Sequence, residues 1–288
     1  MQKYYFLMKA KTLYISDLDG TLLNNDSVVS RHSAHIISRL SEKGAMITVA
    51  TARTPATADI LLADCKINVP MIVVTGAAMW SHSEKRYISA KTLERSLLDT
   101  LLKEFDEYGI SPFVYSFDSK NGFPSLLDVY HKSPIMNPRE TDFFENRKKL
   151  KKFFIGEDIS EKARDNALLL FAIGKTESIM PVADSLRSKN ICSMSAYPDI
   201  FDESSSQIEV FAPGVSKANA VLKLKEMTGA DRVVVFGDNL NDISMMSVAD
   251  VAVAVENAYP QVKEAADIVI GRNTEDAVAK FIKEDFEK

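Results

Sequence analysis

Short apolar runs and amphipathic stretches alternate along the first eighty residues. Thr12-Leu13-Tyr14-Ile15-Ser16 reads as a strand, and residues 31–44 carry apolar side chains at helical spacing, with Ser30 as cap and Gly44 as stop. The continuous apolar run 45–51 has the pattern of a strand buried on both faces. A helix is expected over 55–65, with Pro55 in its first turn, and a third strand over 71–76. The theme resumes at the C-terminal end. There a helix at 216–229 with Ser216 as cap precedes a buried strand at 232–238, a short helix at 241–249, strands at 251–255 and 267–270, and a closing helix at 274–286. Alternation of this kind predicts βαβ units and a parallel sheet.

The middle of the chain has a different rhythm. Leu93, Leu97, Leu101 and Phe105 fall at helical spacing within 92–109, and strand-like stretches follow at 111–117 and 124–131. Helix, strand and helix are expected at 139–152, 167–173 and 176–189, then a hairpin near 191–197 and 206–211. Strands arriving in adjacent pairs suggest an antiparallel sheet with helices on one face. The prediction is an α/β core, a three-layer doubly wound and mostly parallel sheet, built from residues 1–83 and 211–288. An α+β domain at 84–210 interrupts it.

Composition narrows the function. The 288 residues are 46% hydrophobic and 26% charged, as in an ordinary globular protein. A formal charge of −5 argues against a nucleic-acid surface, so an anionic substrate must be met by a local cation or a metal. Two cysteines, Cys65 and Cys192, imply no disulfide framework. Lys9 and Lys11 interrupt the oily N-terminal stretch, and no apolar run reaches the ~18 residues a membrane span needs. The expectation is a cytoplasmic protein with no membrane association and no obligate protein partner.

The chemistry lies where buried strands end. Asp17 and Asp19 follow the first strand, and open α/β sheets bind ligands beyond the carboxyl ends of their strands. An Asp-Gly turn explains Asp19-Gly20 but leaves Asp17 unaccounted for. Residues 237–242, Gly-Asp-Asn-Leu-Asn-Asp, repeat the arrangement after Val233–Phe236. A helix cap explains Asn241 or Asp242 but not Asp238. Two strands delivering acids to one sheet edge would repel unless a cation sits between them, and oxygen-only ligands point to Mg²⁺. Thr51 ends the run before it, which places its hydroxyl at the same edge. Lys217 falls in the first turn of a helix, where the macrodipole disfavours a cation, a placement that suits a nearby anion.

Together, Asp17, Asp19, Thr51, Lys217, Asp238 and Asp242 resemble the four-motif signature of the haloacid dehalogenase superfamily. Motif order and the place of the insert are most similar to the Cof-type phosphatases, whose large α+β cap lies between the second and third motifs. The resemblance covers the whole chain. It implies a phosphatase acting on a small phosphorylated metabolite, a sugar phosphate or a cofactor-precursor phosphate. In it Asp17 is the nucleophile and Asp19 the acid and base. Mg²⁺ is held by Asp17, the Asp19 backbone carbonyl and Asp238. Thr51, Ala52 and Lys217 meet the substrate phosphate, and Asn241 and Asp242 position metal waters or the lysine. Two departures stand out. Thr51-Ala52-Arg53 replaces the Thr-Gly-Arg of many relatives and keeps the hydroxyl, whereas Thr75-Gly76-Ala77 replaces Asn-Gly-Ala and removes an amide.

Other signals carry less. His32 and His35, three apart on a helix with no third soft ligand nearby in sequence, read as a solvated face. Gly174-Lys175-Thr176 mimics the end of a P-loop, but Leu169 stands where the leading glycine belongs. The basic run 147–152 reads as a solvated helix face. Tyr130, His131, Arg139 and Arg164 are candidates to line a substrate cleft. A phosphomutase and a phospho-accepting receiver module are the competing functions; a receiver gives no reason for Asp19 beside Asp17 or for the large insert.

Overall fold

The computed structural model describes residues 10–117, 127–131, 137–149, 155–156, 164–199 and 202–288. Its strands in chain order are β1 (Thr12–Ser16), β2 (Met46–Val49), β3 (Met71–Val73), β4 (Ala78–Ser81), β5 (Arg86–Ala90), β6 (Phe113–Phe117) and β7 (Leu127–His131). They continue as β8 (Ile155–Gly156), β9 (Ala167–Lys175), β10 (Ser193–Asp199), β11 (Asp202–Phe211), β12 (Arg232–Gly237), β13 (Val251–Val255) and β14 (Ile268–Ile270). The chain folds into two compact units. One holds the described parts of Met1–Thr51, Ile60–Ile72 and Lys217–Lys288, the other those of Ala52–Asp59 and Val73–Ser216.

The first unit is built on a parallel sheet in the order β14-β13-β12-β1-β2, extended by a parallel bridge from Ala50 to Ile72. β1 lies between β12 and β2, with Ile15 opposite Val235 and Thr48. Leu13, Ile15 and Val233 to Phe236 are wholly buried, which is why these strands read as unbroken apolar runs. Helices Arg31–Glu42 and Ala277–Glu287 pack on each other, and Lys217–Thr228, Ile243–Met246 and Pro260–Ala265 form a second group. Ser30 caps the first of these helices, its hydroxyl accepting the Ser33 N–H at 2.9 Å. His32 and His35 are exposed on that helix, as expected of a solvated face.

The second unit centres on a six-stranded sheet, β10-β11-β9-β6-β7-β8, antiparallel except for the β7–β8 pair. Helices Arg95–Glu107 and Thr176–Lys189 pack on each other, and the second lies against β9 and β11. Gly174 and Lys175 end β9 and Thr176 opens the following helix, so no phosphate loop forms there. β4 and β5 make a hairpin absent from the sequence reading.

Several elements differ in extent. The helix expected over 55–65 spans Pro55–Leu61, because Ile60 faces solvent and the apolar periodicity beyond it belongs to a loop. The strand expected over 71–76 stops at Val73, where Val74 and Thr75 turn into the left-handed region. The closing helix begins at Ala277 after a short 3₁₀ turn, and the one expected at 241–249 is a 3₁₀ turn, Leu240–Asp242, leading into Ile243–Met246. The basic run 147–152 begins inside the helix Pro138–Lys149, but its residues 150–152, its side chains and those of Tyr130 and His131 lie outside the described residues. Arg139 pairs with Asp202, and Arg164 with Asp99.

Candidate active site

Three segments of the first unit converge at the carboxyl ends of β1 and β12. Asp17 follows β1 directly, and its N–H donates to the Phe236 carbonyl at 2.9 Å, so the strand pairing carries it to the sheet edge. Lys217 opens its helix fully buried, and its ammonium donates to Asp17 Oδ1 at 2.6 Å and to Asp242 Oδ1 at 2.7 Å. Asp242 is also fully buried, and its Oδ2 accepts the N–H groups of Asp238 and Asn239, both at 3.1 Å. Both oxygens of Asp242 are thus engaged by protein donors.

Asp238 is held differently. Thr21 Oγ1 donates to its Oδ1 at 2.7 Å. Gly20, at φ 77°, passes so close that a Cβ there would lie 2.9 Å from the Asp238 Cγ. Gly237 is equally constrained, since a Cβ would lie 2.6 Å from that of Asp242. Both glycines are required by close approach, one of them also by a left-handed backbone.

Electrostatics at this edge are under tension. Burial pushes the Asp17 carboxyl up to about 8, against the pull of the Lys217 ammonium. Burial likewise raises Asp238 to about 6, with Thr21 opposing and the Asp242 charge adding to the rise. Burial also works against the charge on Lys217, but Asp17 and Asp242 outweigh it and hold the ammonium above its ordinary value. One lysine is therefore set among three carboxylates.

That imbalance fits a cation. Oxygens of Asp17, Asp238 and Asp242 lie within 4.8 Å of one another. Asp17 Oδ2 and Asp238 Oδ2 accept no hydrogen bond from the described residues, which leaves them the more available ligands. Asn241 Oδ1, in the same loop, is buried and has no partner among the described residues. Hard oxygen donors of this kind suit Mg²⁺ or a similar divalent ion.

Asp19 lies exposed in the turn Leu18–Leu22, one residue past a buried leucine. Thr51 is buried, and its N–H donates to the Ile72 carbonyl at 2.9 Å. Ala52 belongs to the other unit. Sequence reasoning missed the groups that brace the turn after Asp19. Asn257 Nδ2 donates to the Gly20 carbonyl at 2.7 Å, its Oδ1 accepts the Asn273 N–H at 2.9 Å, and Asn273 Nδ2 donates to the Leu23 carbonyl at 2.8 Å. Thr21 sat inside the first motif, and its place beside Asp19-Gly20 was the available signal; the two asparagines gave none.

The sequence pattern of the haloacid dehalogenase-like hydrolases matches residues 14–282. The chain belongs to this family. It is similar to the 5-amino-6-(5-phospho-D-ribitylamino)uracil phosphatase YcsE of Bacillus subtilis, at 28% identity over 271 residues, 93% of this chain and 92% of that protein. The pyridoxal phosphate phosphatase YbhA of Escherichia coli is 26% identical over 279 residues, 92% of this chain and 95% of its own. The fold matches the haloacid dehalogenase subclass IIB sugar phosphatase BT4131 with a TM-score of 0.72 and 21% identity, covering 96% of this chain and 99% of the other. As a member of this haloacid dehalogenase-like group, with phosphatases as its relatives, the chain is a phosphoric monoester hydrolase. Among the described residues no helix is long and apolar enough to cross a membrane.

Proposed function

We propose that the enzyme is a Mg²⁺-dependent phosphatase that hydrolyses a small phosphorylated metabolite through an aspartyl-phosphate on Asp17. The observation that supports this most directly is the fully buried Lys217, shared at 2.6 and 2.7 Å between Asp17 and Asp242. A lysine in that position orients the Asp17 carboxylate. It also places positive charge where phosphate oxygens would arrive.

In the first half-reaction a carboxylate oxygen of Asp17 forms a bond to phosphorus while the bond to the leaving oxygen breaks, and Asp19 gives that oxygen a proton. In the second, Asp19 takes a proton from water as its oxygen attacks the phosphorus, releasing inorganic phosphate and restoring the Asp17 carboxylate. Asp19 is exposed, as a group that exchanges protons with substrate and water must be. Asp17, Asp238 and the backbone carbonyl of Asp19 would hold Mg²⁺, which supplies charge neutralisation between carboxylate and phosphate. Thr51, Ala52 and Lys217 bind the phosphate oxygens. Asp242 orients Lys217, and Asn241 serves the metal's water shell. Residues 84–210 act as the cap that selects the substrate. A sugar phosphate or a cofactor-precursor phosphate is the class favoured, in keeping with the ribitylaminouracil and pyridoxal phosphates named for the relatives.

The deciding experiment separates the two jobs of Asp19. With an aryl phosphate whose leaving group needs no acid, Asp19→Asn is expected to release a burst of about one equivalent of aryl alcohol, followed by slow turnover. Asp17→Asn is expected to give no burst. Wild-type turnover by Asp19→Asn would overturn its role, and undiminished turnover after exhaustive chelation would remove the metal.

A further inference from the structure

The turn that carries Asp19 is held by side chains that the proposed chemistry does not use. Asp19 has φ −74° and ψ 122°, and Gly20 has φ 77° and ψ −7°, the dihedral pattern of a type II turn. Such a turn depends on its left-handed glycine, the residue with the most backbone freedom in the segment. Asp19 itself is exposed, so burial does not fix its place. Asn257 lies in the turn that follows β13, and Asn273 opens the 3₁₀ turn that follows β14. Both strands run parallel to β12 and β1, so the two asparagines arrive at the carboxyl edge where Asp17 and Asp238 stand.

Their bonds form a relay. Asn257 Nδ2 donates at 2.7 Å to the Gly20 carbonyl, one peptide beyond that of Asp19, and Asn273 Nδ2 donates at 2.8 Å to the Leu23 carbonyl at the far end of the turn. The Asn273 N–H donates to Asn257 Oδ1 at 2.9 Å, which locks the Asn257 amide in one orientation. Two residues on, the Tyr259 N–H donates to the Asp238 carbonyl at 2.9 Å. The segment 257–259 therefore registers the Asp19 turn against the loop that carries Asp238. Only an amide meets both demands made on Asn257, for it faces a carbonyl that needs a donor and an N–H that needs an acceptor. Aspartate has the same shape but would set a carboxylate oxygen against the Gly20 carbonyl oxygen.

We infer that Asn257 is a positioning residue for the acid and base. It holds the turn so that the Asp19 carboxyl stands where it exchanges a proton first with the leaving group and then with water, and Asn273 supports it. The inference rests on the role given to Asp19 in the function proposed above. Proton transfer needs hydrogen-bond reach, and a misplacement of about 1 Å costs up to about a hundredfold in rate.

The test uses the full chain, an aryl phosphate and saturating Mg²⁺, and compares Asn257→Asp with wild type, with Asp19→Asn and with the double variant. Asn257→Asp is expected to lower kcat about tenfold to a hundredfold, with kcat/KM within about threefold of wild type and a burst near one equivalent. That split belongs to a slowed second half-reaction. A purely structural role would instead reduce the competent fraction, so that burst, kcat and kcat/KM fall together. The double variant is expected to turn over no more slowly than Asp19→Asn alone, because nothing is left to position once the base is gone. Asn273→Ala removes the outer brace, should show the same pattern at smaller size, and stays decisive if Asn257→Asp does not fold. With Asp19→Asn impaired as expected, three results would each overturn the inference: wild-type kinetics in the asparagine variants, a burst that falls in step with kcat, or losses that add in the double variant. Wild-type turnover by Asp19→Asn would overturn the role of Asp19 itself, and both readings with it.

Discussion

The two units bury carboxylates in opposite ways. In the second, Glu104 is 5% exposed and receives Ser185 Oγ at 2.5 Å together with the Lys189 ammonium. That lysine is about half exposed, and its hydrogen bond holds the Glu104 carboxyl below its ordinary value. A flexible surface cation closes the site, and nothing is left over. In the first unit the lysine itself is buried between two carboxylates, a third lies close to them, and two of the three are driven upward by burial. The same residue types make a settled structural contact in one place and an unsettled charge in the other. The difference is whether burial reaches the cation.

Breaking the contrast should be most costly at Lys217. Lys217→Met leaves Asp17 and Asp242 buried with no cation, so a loss of about 3–5 kcal/mol in urea unfolding is expected, with phosphate release abolished. Added Mg²⁺ should return part of the stability, because a cation at the carboxylates replaces some of the lost charge. Lys189→Ala, measured in parallel, should cost far less, since solvent reaches its partner once the side chain is gone.

Crowding sharpens the comparison at the next level. Gly237→Ala puts a Cβ 2.6 Å from that of Asp242 and must displace the aspartate that orients Lys217. A cost of about 1–3 kcal/mol is expected from the overlap, with turnover falling about a hundredfold from misplacement of the site. Gly174→Ala in the second unit meets the Asn137 amide nitrogen at 3.1 Å, a side chain able to give way. Its cost should stay within about 1 kcal/mol, with phosphate release unchanged. The smallest effect belongs to Arg187→Ala, which removes an ion pair with Asp184 between two exposed side chains. Denaturation should move by no more than about 0.5 kcal/mol.

What could be read in advance follows from the same physics. Asp17 and Asp238 announce themselves because each ends an apolar run that has no local use for an acid. Lys217 is visible as a cation in the wrong turn of a helix. The approach of Gly20 to Asp238 is invisible in the chain, for the two lie 218 positions apart and only the β1–β12 pairing brings them together. Asn257 and Asn273 look like ordinary loop residues, although they brace the turn that carries Asp19. The apolar run Met71–Val74 continues one residue past its strand, and nothing in its composition foretells the left-handed turn.

The pairing of Asp17 with Lys217 spans 200 residues, with the whole second unit synthesised in between. At ribosomal speeds of about 5–20 residues per second, Asp17 waits on the order of 10–40 s for its counter-ion. During that interval β1 has β2 available on one side, but the β12 edge stands open. A nascent chain ending before residue 232 therefore carries an apolar strand with an unpaired edge, a target for chaperones and a seed for misassembly. Stalled or truncated products should accumulate in insoluble or chaperone-bound fractions, and the edge that joins Asp17 to Lys217 is among the last parts of the first unit to form.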